Sequence, residues 1–314
     1  MATVALINPE IHLVPLAEAD PSEMESLFDE QCEEWEALLR WDYTGPSRLI
    51  REVARRKELS GFAATTGSRV IGFSFYIIEA DRCSIGDIFV SKEWRGAGAD
   101  RQMAAAILQR LDRVPRLRRI ESQCVSVGND ASNAYFLEQG FESFDRHYMM
   151  LDLAEAEKGG ASDGSVRKQG IAPLEVDFRS WREEDFGAAA RIIHNSYRGE
   201  HDSRINSQYR TEEGCAELLS ILTEHVWCGE FLSQVSQVAI ARATGKPVGV
   251  LIASCIAEGT GHIGQISLLP SWQGAGIGRR MISAALTGFD LLGFDTVSLA
   301  VTGSNASAFH LYRS

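Results

Sequence analysis

Short apolar runs alternate with longer amphipathic segments along the first half of the chain. Apolar runs bounded by glycine or polar turn residues predict strands, whereas an apolar residue at every third or fourth position predicts a helix. The predicted strands are Ile11 to Leu16, Gly61 to Thr65, Val70 to Ile78, Ser84 to Val90, Arg119 to Val125 and Phe141 to Leu151. The predicted helices are Ser22 to Arg40, Ser47 to Arg56, Arg101 to Leu111 and one within Ala131 to Gln139. Such mixing of strands and helices predicts an α/β unit.

The second half shows a similar succession of elements. Its predicted strands are Leu174 to Arg179, Ser236 to Arg242, Pro247 to Ala257 and His262 to Leu269. Its predicted helices are Asp185 to Ser196, Glu212 to His225 and Arg279 to Leu292. The stretch from Tyr197 to Tyr209 is too polar for a core element.

Spacing of particular residues indicates that the two halves are copies of one unit. Trp94 and Gly98 precede Trp272 and Gly276 by 178 positions, and Asn129 precedes Asn305 by 176 positions. Nearly equal spacing of several residues is typical of a tandem duplication. We expect an N-terminal domain over 1–153, a linker rich in glycine, serine and charge over 154–171, and a C-terminal domain over 172–314.

A glycine-rich loop separates the last predicted strand from the last of those helices. Its sequence is Gln273-Gly274-Ala275-Gly276-Ile277-Gly278. Main-chain N–H groups in such a loop can surround an anion, and the dipole of the following helix adds positive potential. The Lys-Ser/Thr ending of a P-loop is absent, and the third glycine comes too early for a dinucleotide fingerprint. The pattern therefore indicates a diphosphate site of another kind.

The run Leu268-Leu269-Pro270-Ser271-Trp272 and the loop after it resemble the acetyl-CoA signature of the GCN5-related N-acetyltransferases (GNAT). The later run Asn305-Ala306-Ser307-Ala308-Phe309-His310-Leu311-Tyr312 resembles the second signature of that family. The resemblance implies an α/β (α+β) fold of two tandem GNAT-like domains, each a mixed, mostly antiparallel sheet flanked by helices. It also implies acetyl-CoA as cosubstrate, no metal, and direct transfer of the acetyl group to an acceptor amine in a ternary complex.

The same resemblance assigns site residues in the C-terminal copy. Main-chain groups of Ile266 and Leu268 would hold the pantetheine arm, Asn305 would contact the CoA arm, and Tyr312 would protonate the leaving thiolate. The diphosphate would lie against the residues of the loop and the helix start, namely Gln273, Gly274, Ala275, Gly276, Ile277, Gly278 and Arg279.

The general base is less well defined by the sequence. Family members often carry a carboxylate on strand four, where this copy has Gln265. His262 on the same strand is the candidate base, because imidazole titrates near neutral pH, and a structural histidine is the alternative. Glu200, His201 and Asp202 lie where the family binds its acceptor, and they could equally belong to a solvated loop.

The N-terminal copy departs from both signatures. Asp100 stands in place of the last glycine, and Phe136 stands in place of the tyrosine, next to Tyr135. A carboxylate beside a diphosphate opposes binding, so we expect this copy to be structural or to bind only weakly. The alternative is that Asp100 points to solvent and CoA still binds. Only this copy has a strand-four carboxylate, Asp87.

Charge and composition narrow the classes of partner. A net charge of -12 argues against a nucleic-acid partner, and it could either favour a cationic amine or reflect an ordinary soluble surface. The start of the chain lacks a basic leader, and no apolar run reaches the roughly 18 residues of a membrane helix, so we expect a cytoplasmic protein. The six cysteines are scattered without CxxC pairs and predict neither a zinc site nor disulfides.

We therefore expect an N-acetyltransferase whose partners are acetyl-CoA and an amine, most simply a small molecule. The alternative is a non-catalytic acyl-CoA-binding sensor or regulatory module. The N-terminal copy continues through Gly140-Phe141 into a further strand, whereas the sequence stops at Ser314. Either the chain continues, or the equivalent strand of the second copy comes from elsewhere.

Overall fold

The computed structural model describes residues 10–122, 130–158, 175–200 and 202–313. The chain forms two compact units. One contains Met1–Ala37 and Tyr43–Ser143, and the other contains Leu38–Asp42 and Phe144–Ser314. The second unit therefore takes two segments from the part of the sequence that we expected to belong wholly to the first.

The N-terminal unit is built on a five-stranded sheet with the order β1-β2-β3-β4-β5. Its strands are β1 (His12–Pro15), β2 (Gly61–Thr66), β3 (Arg69–Glu79), β4 (Arg82–Val90) and β5 (Arg119–Ser122). Its helices are α1 (Glu25–Leu39), α2 (Thr44–Arg55), α3 (Ala99–Leu111) and α4 (Asp130–Glu138). Neighbouring strands are antiparallel except β4 and β5, which pair in parallel.

The C-terminal unit has a seven-stranded sheet with the order β6-β12-β11-β10-β9-β7, and β8 also pairs with β10. Its strands are β6 (Arg146–Asp152), β7 (Val176–Ser180), β8 (Glu230–Phe231), β9 (Gln237–Ala241), β10 (Pro247–Ala257), β11 (Thr260–Leu268) and β12 (Thr296–Thr302). Its helices are α5 (Leu153–Lys158), α6 (Phe186–Tyr197), α7 (Asp202–Ile205), α8 (Glu212–Glu224), α9 (Ile277–Leu291) and α10 (Ala306–Arg313). Among the described strands of this sheet, only β11 and β12 pair in parallel. The expected fold class, two mixed sheets flanked by helices, is confirmed.

Helices cover both faces of the C-terminal sheet. The buried side chains of Met281, Ala285 and Phe289 on helix α9 belong to one hydrophobic core. Helices α6 and α8 pack Ile193 and Leu219 against the opposite face. Each fully buried side chain of this size stabilises the fold by about 1.5–3 kcal/mol, so the sheet is held rigidly from both sides.

Strand β6 differs from its expected place. The sequence predicts a strand from Phe141 to Leu151, and the observed β6 begins later, at Arg146. It pairs antiparallel with β12, from Thr296↔Asp152 to Thr302↔Arg146. The division between the units consequently falls at Ser143 and not at residue 153. An apolar run predicts a strand but carries no information on its partner, and β12 itself was not among the predicted strands. The strand that covers β12 thus precedes the linker.

The short segment Leu38–Asp42 also belongs to the C-terminal unit. The Arg40 guanidinium donates to Thr296 Oγ1 over 2.7 Å, and the main-chain carbonyl of Leu39 accepts from the Tyr148 hydroxyl over 2.9 Å. The Trp41 ring packs on the imidazole of His262, with 5.0 Å between the ring centres. These contacts fasten the segment to β6, β11 and β12.

Other expectations differ in detail. The polar stretch after α6 forms α7 and a 3-10 turn at Ser207–Arg210 in place of an extended loop. The first residues of the predicted linker lie in α5, and residues 159–171 of it lie outside the described residues, as do Asn129, His201 and Cys124. The other five cysteines are free thiols. No helix in the described ranges is both long and apolar enough to cross a membrane.

The assignment of β6 predicts where a substitution at Tyr148 acts. Tyr148→Phe removes the hydrogen bond to Leu39 and should lower the free energy of unfolding by about 1 kcal/mol. Tyr148→Ala also removes the ring that stacks on His262 and should cost about 3 kcal/mol. Hydrogen exchange by mass spectrometry should show the lost protection in β10, β11 and β12. Loss confined to β2, β3 and β4 would contradict this assignment.

Candidate active site

The glycine loop adopts the conformation that an anion site requires. Gly274 and Gly276 have φ angles of 75° and 77°, in the left-handed region that favours glycine. Gly276 is the N-cap residue of α9. Because it has no side chain, it makes no capping hydrogen bond to the first N–H groups of the helix. The first N–H groups of α9 therefore have no helical partner. No heavy atom lies within 4 Å of a Cβ placed on Gly274 or Gly276, so the loop leaves room for a ligand at its main chain.

The side chain of Gln273 fastens this loop to the sheet. Its Nε2 donates to the main-chain carbonyl of Leu268, at the end of β11, over 3.0 Å. At the equivalent place in the N-terminal unit, Arg95 Nε donates to the carbonyl of Val90 over 3.1 Å. The duplication therefore preserves the anchoring of the loop although the side chain has changed.

The N-terminal unit keeps the shape of the loop but differs at the start of the helix that follows it. Gly96 and Gly98 have left-handed φ angles of 80° and 87°. The Asp100 carboxylate is buried and accepts from the main-chain N–H of Ser132 in the first turn of α4, over 2.8 Å. Asp100 thus does not point to solvent. It joins α3 to α4 where Gly278, in the other unit, has only the side chains of Leu311 and Leu268 beside it.

Strands β11 and β12 separate beside the C-terminal loop. Their parallel pairing extends only from Thr260↔Thr296 to Ile263↔Leu299, although β11 continues to Leu268. Beyond Ile263 the edge of β11 that faces β12 has no partner strand among the described residues. Main-chain groups of Ile266 and Leu268, the predicted contacts of the pantetheine arm, lie on this unpaired stretch. Their side chains pack against the core beneath α9.

A β-bulge at Gly264 decides which side chains of β11 face helices α6 and α8. The pairing of β10 with β11 passes from Ile252↔Gln265 to Ala253↔Ile263 and leaves Gly264 unpaired. A strict two-residue period would place His262 and Gln265 on opposite faces, but the extra residue returns both to the face covered by α6 and α8.

Gln265 lies at the centre of a hydrogen-bonded cluster with two tyrosines. Its Oε1 accepts from the Tyr209 hydroxyl and its Nε2 donates to the Tyr197 hydroxyl, both over 3.1 Å. The two rings stack with 4.0 Å between their centres. Burial raises the pKa of Tyr209 well above its usual value and raises that of Tyr197 as well, so both hydroxyls stay protonated at neutral pH.

Asp202 connects this cluster to the second signature. Its carboxylate accepts from Thr302 Oγ1 over 2.6 Å and from Asn305 Nδ2 over 3.3 Å. Asn305 Oδ1 in turn accepts from the N–H of Ala308 and caps α10. Burial raises the pKa of Tyr312, and the neighbouring Tyr197 and Asp202 raise it further. The Tyr312 phenol is therefore protonated at neutral pH and lies close to the tyrosine cluster.

His262 lies deeper in the same face. Its imidazole is buried, its Nδ1 is 2.9 Å from Ser298 Oγ, and its ring packs on Trp41 and Tyr148. Burial, with a smaller effect of the positive charge of Arg146, lowers the pKa of His262 to about 4. The imidazole is therefore neutral at physiological pH and only weakly basic.

The structure brings together several of the predicted residues and adds others. Asp202, Gln265, Asn305 and Tyr312 share one region with the loop, whereas the side chain of Glu200 is exposed. Tyr197, Tyr209 and Arg146 were not predicted. Two tyrosines in an otherwise polar stretch were the available signal for the first two, and no sequence signal existed for Arg146, which reaches the site only because β6 joins this sheet.

The N-terminal unit contains a cluster of related geometry. Tyr43 donates to Asp87 Oδ2 over 3.0 Å and stacks on Trp35 with 4.2 Å between ring centres. Asp87 occupies the position equivalent to Gln265. Burial raises the pKa of this carboxyl, opposed by hydrogen bonds from Gln31 and Tyr43. This unit has therefore kept the aromatic and polar cluster, and its loop differs from the C-terminal one by the Asp100 carboxylate at the start of α3.

Comparison with known proteins agrees with this geometry. The sequence model of the acetyltransferase (GNAT) family matches residues 22–141 and 203–314. A GCN5-related N-acetyltransferase from Sphaerobacter thermophilus superposes with a TM-score of 0.62 at 16% identity, covering 96% of this chain and 90% of that one. A tandem GNAT protein from the clavulanic acid biosynthesis pathway superposes with a TM-score of 0.56 at 14% identity, covering 97% and 94%.

These solved structures share the fold with the chain described here. No curated protein sequence matches the chain significantly. The family match covers more than half of the sequence and falls on both copies. The chain therefore belongs to the acetyltransferase (GNAT) family, and it carries the fold of that family twice in tandem.

Proposed function

We propose that the C-terminal unit transfers the acetyl group of acetyl-CoA directly to an acceptor amine. Membership of the family supports acetyltransferase activity with acetyl-CoA as cosubstrate. The observation that carries the choice of unit is Gly278, which follows the glycine loop in the first turn of α9, lies beside the separated strands β11 and β12, and brings no carboxylate to the loop. The position equivalent to Gly278 in the N-terminal unit holds the buried carboxylate of Asp100, whereas the loop glycines Gly96 and Gly98 are as open there as Gly274 and Gly276.

The residues of the loop and of α9 would bind the diphosphate. Gln273 holds the loop against Leu268, and the N–H groups of Ile277, Gly278 and Arg279 begin the helix and carry the positive end of its dipole. Gly274, Ala275 and Gly276 would contribute main-chain groups. Asn305 would orient the CoA arm from the start of α10, with its amide already held by Asp202 and Ala308.

Tyr312 is the proposed general acid. The amine nitrogen attacks the acetyl carbonyl carbon, the carbon–sulfur bond breaks, and the thiolate takes the phenolic proton of Tyr312. The proton that the amine loses passes to water, from which Tyr312 regains its own. The raised pKa of Tyr312 keeps the phenol protonated before each turnover.

We propose a structural role for His262 in place of the expected general base. A base must reach the amine, but this ring is buried, packs against Trp41 and Tyr148, and has its Nδ1 bonded to Ser298. A pKa of about 4 also makes it a poor proton acceptor at neutral pH.

One observation favours a second candidate, a non-catalytic acyl-CoA-binding module. Gln265 replaces the carboxylate that often serves the family on strand four, and both ends of its amide are engaged by tyrosines. Release of free CoA with a panel of amines separates the candidates, because a binding module would bind acetyl-CoA without turnover.

The assignment of catalysis to the C-terminal unit predicts the effect of an aspartate at Gly278, the position equivalent to Asp100. Gly278→Asp places a carboxylate beside the diphosphate site and crowds Leu311, so the affinity for acetyl-CoA should fall at least about tenfold. Calorimetric titration should give one site for the native chain, a weakened site for Gly278→Asp, and a smaller change for Gly278→Ala. Two sites in the native chain, or unchanged affinity in Gly278→Asp, would show that the N-terminal unit binds CoA.

The role of Tyr312 predicts a loss of turnover without a loss of binding. Tyr312→Phe should lower kcat about 100-fold, because general acid catalysis typically contributes that much, and leave the affinity for acetyl-CoA nearly unchanged. His310→Ala, at an exposed position of the same helix, is the control and should retain kcat. Native-like kcat in Tyr312→Phe would refute the assignment.

The role of His262 predicts an acid-sensitive stability. Its pKa is about 4 in the folded state and near 6.5 when unfolded, so the unfolded chain binds the extra proton as the pH falls between these values. This group alone should remove about 3 kcal/mol of stability from pH 7 to pH 4. Urea unfolding at several pH values should show a smaller fall for His262→Asn, which cannot titrate. Equal pH dependence in both proteins would contradict the buried neutral state.

A further inference from the structure

We propose that the acceptor carries a carboxylate besides its amine, as an amino acid does, and that Arg146 binds this carboxylate. The inference rests on the proposed acetyl transfer by the C-terminal unit and names the class of its second substrate. It begins from the unexpected position of β6.

Pairing of β6 with β12 places Arg146 on the acceptor side of the sheet. Arg146 lies directly opposite Thr302, and residues opposite one another in an antiparallel pair project from the same face. Thr302 Oγ1 donates to Asp202 on that face. The Arg146 guanidinium and the Asp202 carboxylate therefore lie on the same face of the sheet, at the end where β11 and β12 have separated.

Both charges act on the same tyrosines. The positive charge of Arg146 lowers the pKa of Tyr197 and Tyr209, and the negative charge of Asp202 raises both. Burial still dominates and keeps both phenols neutral. One cation and one anion thus lie around the stacked ring pair, and Asp202 is also the charge that raises the pKa of Tyr312.

Arg146 is available for a ligand. Its side chain is exposed, and it makes no ion pair or side-chain hydrogen bond within the described residues. Other arginines of this unit are paired, as Arg179 is with Asp185 and Arg242 is with Asp177. An arginine at a strand edge can simply be solvated, but here it lies opposite the residue that binds Asp202.

A molecule with one positive and one negative group matches this arrangement. Asp202 attracts the ammonium form of the amine before it loses its proton, and a guanidinium binds a carboxylate through two parallel hydrogen bonds. A diamine would instead bring its second cation towards Arg146. The stacked tyrosines offer an apolar surface between the two charges.

The test compares acceptors that differ only in the carboxylate. The acceptors are standard amino acids, their amides and their decarboxylated amines, for example phenylalanine, phenylalaninamide and phenethylamine. Each is incubated with acetyl-CoA and the full chain, and the released free CoA is measured. Because the carboxylate also changes the basicity of the amine, the readout is the change in preference between proteins. Arg146→Ala should reduce kcat/KM about 10- to 100-fold for amino acids and little for the other two classes.

Two further variants sharpen the comparison. Arg146→Lys should retain part of the preference for acceptors with a carboxylate. Arg146→Glu should shift the acceptor preference towards diamines. Arg242→Ala removes an exposed arginine elsewhere on the sheet and should leave the preference unchanged. Turnover with no preference for the carboxylate, or a preference that survives Arg146→Ala, would overturn the inference while leaving acetyl transfer intact.

A binding measurement keeps the inference testable without turnover. Phenylalanine and phenylalaninamide, and the corresponding pairs of other amino acids, are titrated into the CoA-saturated protein. We expect tighter binding of the carboxylate member, lost in Arg146→Ala. Equal binding of both members, or no saturable binding of any amino acid, would overturn the inference. Absence of CoA release with acetyl-CoA still bound would refute the proposed transfer separately.

Discussion

The separation of two parallel strands is the constraint on which the rest of the C-terminal unit depends. Strands β11 and β12 pair over Thr260–Ile263 and then part, and this leaves main-chain polar groups of β11 without a partner strand. Such groups are costly to bury unbonded, and a side chain meets part of this need, because Gln273 Nε2 donates to the main-chain carbonyl of Leu268. The glycine loop, α10 and the tyrosine cluster all lie around this opening.

The duplication shows how the two halves of such a site can diverge separately. In the N-terminal unit the loop keeps its left-handed glycines and its anchor to the sheet, but the Asp100 carboxylate occupies the start of α3 and bonds to α4. The tyrosine cluster of that unit keeps a carboxyl group, Asp87, where the C-terminal unit has Gln265. Each unit has therefore kept a feature that the other has replaced.

Much of this arrangement could be predicted from local sequence. The strand Pro247–Ala257 was predicted residue for residue, since its apolar run is bounded by clear turns, and the glycine loop was recognised by its spacing. The bulge at Gly264 could not be predicted, because it depends on pairing with β10, and it changed which face His262 occupies. Arg146 and the position of β6 depend on long-range pairing, which a period of two along one strand does not encode. The contacts of Asp202 could not be predicted either, because the sequence of α7 shows only a polar stretch.

The position of β6 has a consequence for synthesis of the protein on the ribosome. Residues Arg146–Asp152 emerge about 150 residues before their partner β12, with exposed side chains at Met150 and Leu151. At typical translation speeds of about 5–20 residues per second, β6 waits roughly 10–30 s for that strand. During this interval it is an unpaired apolar strand, the kind of segment that associates with other chains. Completion of the C-terminal unit is thus a late, non-local event, and slow elongation between residues 153 and 296 would lengthen the period in which the nascent chain is prone to aggregate.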